Sequence, residues 1–320
     1  DAALQYKSAS GAERAVELGL TRMTLRSEAD RHRLDLRVSD AADIDFTVGL
    51  EAARIAGKPF GELPVSGSVK GSTRLIGLLP LLVDAIDNAA GQVALDFTVA
   101  GRVAAPLLEG EARLTDGSLD FYQANLRLRD LRSTIRLREN SLALTAQGKA
   151  GEGFLDIDGR LGWRNRQLSG ELRLTGDSLL VADVPEARVL ASPDLKFTLD
   201  GRHMNVSGKV EIPEARIAPA DTAGAVLVST DERILRPEAS PGSDEPFEVT
   251  TDVRVSLGKK VKVSAYGLRG TVTGSVRTRT APHEASVASG ELEVVDGVYS
   301  AYGRDLEVER GKLLFTGGPV

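Results

Sequence analysis

A chain of 320 residues with 40 basic and 46 acidic side chains has a formal net charge of −6 at neutral pH, without the basic excess that a nucleic-acid partner favours. It has no cysteine, which excludes disulfides, thiolate metal sites and cysteine nucleophiles together and fits an oxidising compartment. Hydrophobic residues at 42% and charged ones at 27% lie in the folded range, and the length allows two compact units or one long one.

The chain opens at Asp1 with no methionine, basic n-region or apolar h-region, so no signal peptide is read. Over residues 1–73 apolar side chains alternate with polar ones, at Leu34, Leu36 and Val38 and again at Ile44, Phe46 and Val48. A period of two puts the apolar side chains on one face of a strand. Residues 74–90 depart from it, because Leu75, Ile76, Leu79, Leu82, Val83 and Ile86 cluster near helical spacing. One short helix is expected there, capping the end of an apolar surface; it lacks the flanking lysines and arginines of a membrane-surface helix. Its apolar run, residues 75–86, falls short of the ~20 residues needed to span a bilayer.

The alternation resumes over residues 91–235. It passes through Val93, Leu95, Phe97 and Val99, then Leu126 and Leu128, Ile135 and Leu137, Leu142 and Leu144, and Leu155 and Ile157. Leu172 and Leu174, Leu195 to Leu199, Val206 to Ile212, and Val226 and Val228 continue it. Residues 236–246 (RPEASPGSDEP) carry three prolines and read as an exposed loop, the best internal boundary. Residues 247–320 return to the pattern at Val249, Val253 and Val255, Val261 and Val263, Val272 and Val276, Leu292 and Val294, and Leu313 and Phe315. Breaks at Asp116-Gly117, Glu139-Asn140, Asp200-Gly201 and Asp296-Gly297 read as turns. Pro213 and Pro219 read as a bulge, a bend or a strand end, with the strand end favoured. Gly208, Gly270, Gly274 and Gly290 mark bulges or leave the interior unobstructed.

About twenty strands with one helix to cover them must cover each other, as a sandwich, a barrel, a β-helix or a long sheet folded lengthwise. At ~4.8 Å per strand such a sheet would extend roughly 95 Å. The interior is aliphatic, since only 8 Phe, 5 Tyr and 1 Trp are present. A long sheet closed imperfectly leaves an apolar trough that an acyl chain could fill. Lips that meet would make an ordinary dry core, and the pattern leaves both open.

Catalytic chemistry is not apparent. His32, His203 and His283 lie far apart, without metal-ligand spacing or a paired carboxylate. Gly148-Lys149 and Gly208-Lys209 are not followed by Ser or Thr, so no phosphate loop is read, and no Gly-x-Ser-x-Gly elbow occurs. No catalytic residue, metal or cofactor is expected, and the chain reads as something other than an enzyme.

The order of certain segments carries a resemblance. Residues 191–195 (ASPDL), 199–201 (LDG) and 206–217 (VSGKVEIPEARI) resemble the conserved C-terminal core of the TamB family. Residues 266–274 (YGLRGTVTG), 290–294 (GELEV) and 297–303 (GVYSAYG) are similar to its late repeats, and residues 310–317 (RGKLLFTG) to its penultimate strand. The family's following segment is absent, so the resemblance implies a chain truncated at Val320. It covers about residues 90–320 well and the first 90 in style.

The resemblance implies an elongated β-taco, a repeating β-groove of many short antiparallel strands with an apolar interior, as in bridge-like lipid transfer proteins. It implies a periplasmic protein of Gram-negative bacteria, held in the inner membrane by an N-terminal helix outside this sequence. Its implied partners are phospholipid acyl chains, a TamA-like Omp85 barrel in the outer membrane, and outer-membrane protein clients such as autotransporters. The lipid-binding lining is then expected from Leu195, Phe197, Leu199, Val206, Val210, Ile212, Val226, Val228 and Val249. Val253, Val255, Val261, Val263, Val272, Val276, Leu292 and Val294 complete it. Two other roles stand beside lipid transport: templating of client strands at an exposed sheet edge, and a dry structural β-solenoid.

Overall fold

A computed structural model describes residues 2–7, 13–40, 44–74, 86–121, 125–164, 167–219, 248–282, 284–301, 304–309 and 311–319. These are almost entirely strand. The first five strands are β1 (Ala2–Lys7), β2 (Glu13–Ser27), β3 (Arg31–Asp40), β4 (Ile44–Ala53) and β5 (Val65–Thr73). Long strands follow: β6 (Asn88–Arg102), β7 (Ala105–Phe121), β8 (Leu126–Arg138), β9 (Ser141–Ala150) and β10 (Gly153–Arg164). Next come β11 (Gln167–Asp177), β12 (Leu179–Val184), β13 (Ala187–Asp200) and β14 (His203–Ile217). The last are β15 (Glu248–Ala265), β16 (Leu268–Thr280), β17 (Val287–Ala301), β18 (Arg304–Val308) and β19 (Gly311–Pro319). A single 3₁₀ turn, Phe60–Glu62, is the one helical element among the described residues.

Nearly every strand pairs with its successor. β1 through β11 form an antiparallel meander. β11 and β12 then lie end to end along β13, as β18 and β19 do along β17. The exception is β14 with β15, which run parallel. A parallel pair needs a crossover of a dozen or more residues, and residues 218–247 supply it. The expected Pro-rich loop lies in that connection, outside the described residues. The expected helix falls mostly on residues 75–85, also outside them, and strand has already begun at Asn88.

Two expected turns are corrected. Asp116-Gly117 lies inside β7 and Asp296-Gly297 inside β17. Both aspartates have positive φ, 50° and 52°. An Asp in the left-handed region before Gly suits a bulge as well as a hairpin turn, so the dipeptide alone does not distinguish them. Pro213 sits within β14 at the register shift between Ile212 and Glu214, so the bulge alternative holds there and the favoured strand end is corrected. Pro219 follows the strand, as expected.

These irregularities line up across neighbouring strands. Register shifts fall at Ala90/Gln92, Leu114/Gly117, Arg129/Arg132, Leu190/Ser192, Ile212/Glu214, Leu257/Lys262 and Arg269/Thr271. Buried side chains follow the same line: Leu131, Ala150, Leu179, Ala191, Ala215, Val261, Val272 and Val294. On one flank Val189, Val263 and Leu268, and on the other Ile212, Leu257 and Leu292, pack against Ala215, Val261, Val272 and Val294. Bulges sharpen local bending. The sheet is therefore creased along this line into a long wall and a short wall, with its apolar face turned inward. Away from the crease little is fully buried. The accessible surface is 21940 Å², against about 12,800 Å² for a compact monomer of this mass.

Candidate functional site

The ladder registers place the apolar residues in rows that cross the sheet. One row runs through Met23, Leu36, Val48, Val69 and Phe97, then Gly110, Leu137, Leu142 and Leu161. It continues through Gly170, Leu199 and Met204 to Val249. The residues that the sequence picks out fall into this row and its neighbours. Leu172, Phe197 and Val206 form the next row, and Leu174, Leu195, Gly208 and Val253 the one after. Val210, Val255 and Val276 stand together, as do Ile212, Leu257, Gly274 and Leu292. Beyond the crease Val261 and Val263 lie on β15, with Val272 opposite Val294. Val226 and Val228 lie outside the described residues.

Of the lining residues expected from the sequence, only Val261, Val272 and Val294 are buried and the other described ones are half-buried, while Met23 at the start of the row is 63% exposed. No second layer covers the face among the described residues. At the far end of the short wall it opens into an apolar depression of about 750 Å³, lined by Val263, Ala265, Tyr266, Leu268, Tyr299, Leu306 and Val308. Tyr299 is 42% exposed and Leu306 56%. The sequence-based lining stopped short of the same alternation in the first half of the chain, where Val48, Val69, Phe97 and Leu161 belong to the same row.

Gly208 is on this face for a reason other than an unobstructed interior. Its φ is 138°, and a Cβ there would collide with the Asp194 carbonyl on the next strand. The residue permits a close backbone approach between the strands.

The opposite face is charged and laced across strands. Lys196 pairs with Glu171 at 2.7 Å, Arg173 with Asp194 at 3.0 Å, and Lys70 with Asp96 at 3.0 Å. Arg277 donates from Nε and Nη2 to both carboxylate oxygens of Asp252 at 2.5 Å, which holds that carboxyl below its ordinary range. Exposed pairs of this kind contribute little each; together they keep this face wet and set the sheet's two sides apart. A depression of about 1120 Å³ opens here too, lined by charged side chains around Gly159, Gly170 and Gly208. His32 hydrogen-bonds Ser27 at 2.9 Å and meets the Phe60 ring edge-on, while His203 pairs with Glu248 at 2.8 Å. No cluster of metal-ligating side chains occurs among the described residues.

Comparison with known proteins adds to this geometry. The family model described as the TamB C-terminal domain matches residues 143–320, more than half of the chain. The chain is 22% identical over 322 residues to the translocation and assembly module subunit TamB of Haemophilus influenzae. That match covers 95% of this chain and 24% of the relative, so the chain spans about a quarter of the relative's length. No solved structure matches it.

Proposed function

The chain belongs to the TamB family, and on that premise we propose that its creased apolar face is a groove that shelters phospholipid acyl chains between two membranes. The observation that carries the reading is the uncovered row from Met23 to Val249, continuous across successive strands and half-buried for most of its length. Contiguous apolar surface of this extent is rare on a soluble protein unless something binds it. Each methylene withdrawn from water contributes ~0.8 kcal/mol, so a sixteen-carbon chain gains on the order of 10 kcal/mol before ordering costs. Tails lie on the aliphatic rows, headgroups stay in water at the mouth, and no catalytic residue is required.

The chain in this reading works in the periplasm of a Gram-negative bacterium. The longer protein is anchored at the inner membrane and meets a TamA-like barrel at the outer one. The test is a photo-crosslinking amino acid at Val253 or Leu292, with its counterpart at the outward-facing Arg254. Lipid adducts at the two inward positions and none at Arg254 support the groove; equal labelling of both faces contradicts it.

One feature favours a second reading. β19 pairs with β17 alone among the described residues, and Leu313 and Leu314 on it are 53% and 68% exposed. An unpaired edge can template an incoming strand, such as one from an outer-membrane protein client. Leu314→Pro would then impair client insertion while leaving lipid adducts at Val253 intact.

A further inference from the structure

The charged face carries an unbalanced cluster that the groove does not use. Its depression around Gly159, Gly170 and Gly208 is lined by six cations and three carboxylates, a local excess of positive charge on a chain of formal net charge −6. Five of the cations follow one diagonal, one on each of five neighbouring strands. They are Arg160 on β10, Arg173 on β11, Lys196 on β13, Lys209 on β14 and Arg254 on β15. All five are exposed.

Register fixes their spacing. Arg173 stands directly opposite Lys196, and Lys209 opposite Arg254; like charges so opposed are unfavourable. From Arg160 to Arg173, and from Lys196 to Lys209, the diagonal advances by one strand and two residues. At ~4.8 Å between strands and ~3.3 Å per residue, its four steps average roughly 6.5 Å. Side chains on one face of an extended chain recur at roughly the same interval, about 6.7 Å.

The carboxylates leave this band unneutralised. Glu171 lies on one side of it and Asp194 on the other, holding Lys196 at 2.7 Å and Arg173 at 3.0 Å. Arg173 donates to Asp194 from Nε and Nη2, which leaves Nη1, and Lys196 keeps further ammonium donors. The third carboxylate, Asp158, stands opposite Arg173. Arg160, Lys209 and Arg254 have no hydrogen-bond or ion-pair partner among the described residues.

We propose that this band docks an extended acidic segment of a partner protein, with carboxylates at alternate residues seated on successive cations. It lies on the face turned away from the groove and stands independently of the groove reading. Guanidinium and ammonium groups bond carboxylates with charge assistance, and a carboxylate between Lys209 and Arg254 would relieve their repulsion. The path is one cation wide with carboxylates on both flanks, which suits a single chain. A membrane surface, uniform in phosphate, would press anions against Glu171 and Asp194 as well.

The experiment titrates the chain with a peptide of alternating Glu and Ser, about ten residues long to span the band, and with its Lys–Ser counterpart. Phosphatidylglycerol vesicles are added as competitor. The band variant Arg160→Gln, Lys209→Gln, Arg254→Gln is compared with Arg22→Gln, Arg26→Gln, Arg37→Gln, which removes equal charge from exposed positions on the same face of β2 and β3. The wild type is expected to bind the Glu peptide and not the Lys peptide. The band variant is expected to lose about tenfold or more in affinity and the other variant less than about twofold, both with unchanged urea midpoints. No binding of the Glu peptide by the wild type, or equal losses in the two variants, overturns the band. Equal binding of the Lys peptide, or release of the Glu peptide by vesicles, overturns the acidic segment as its occupant. A wild-type dimer that the band variant cannot form would make a second copy the occupant and overturn the partner protein.

Discussion

The Asn125 side-chain amide donates to the Asp183 carbonyl at 2.8 Å, joining the turn before β8 to β12 across three intervening strands. The β9–β10 hairpin stops at the crease, where Ala150 faces Gly153. Beyond it the short wall has room for β12 to pack directly against β8. One exposed hydrogen bond contributes about 0.5–1 kcal/mol. Asn125→Ala is therefore expected to raise amide exchange across Leu179–Val184 with little change in β13 or β14. Uniform exchange changes, or none, would mean that the short wall is held otherwise.

Gly208 makes a sharper prediction. Valine there needs a left-handed backbone and a Cβ in the place of the Asp194 carbonyl, so Gly208→Val should cost about 2–4 kcal/mol. Gly162→Ala, whose nearest added contact is the Asn140 carbonyl at 3.4 Å, should cost less than about 1 kcal/mol. Urea midpoints measure both. Equal, small effects would show that the sheet does not need the close backbone approach at Gly208.

Acid stability should depend on Asp252. Hydrogen bonds from the Arg277 guanidinium hold the Asp252 carboxyl below its ordinary range. A depressed acid stabilises the fold fully above its unfolded value, about 3.9, and loses that contribution as pH falls through the lower folded value. Asp252→Asn should be less stable than wild type at neutral pH, and the gap should close below about pH 4. Urea midpoints that stay parallel down to about pH 2 would sink the assignment.

The period-two beat made the strands and their apolar face legible, because alternation is a local property that each segment writes for itself. Val253 and Leu292 could be placed on that face from their neighbours alone. The crease was not legible: Asp116-Gly117, Asp296-Gly297 and Pro213 have the chemistry of turns and strand ends, and only pairing with the next strand shows that the chain continues. The parallel join of β14 to β15 is likewise set by partners far apart in sequence.

Native mass spectrometry of the chain, purified from cells without detergent, puts the central claim to its most direct test. An open apolar trough predicts a reproducible population about one phospholipid heavier than the bare chain, lost when Val253 or Leu292 is replaced by aspartate. A bare mass throughout, unchanged after incubation with phospholipid vesicles, would contradict it.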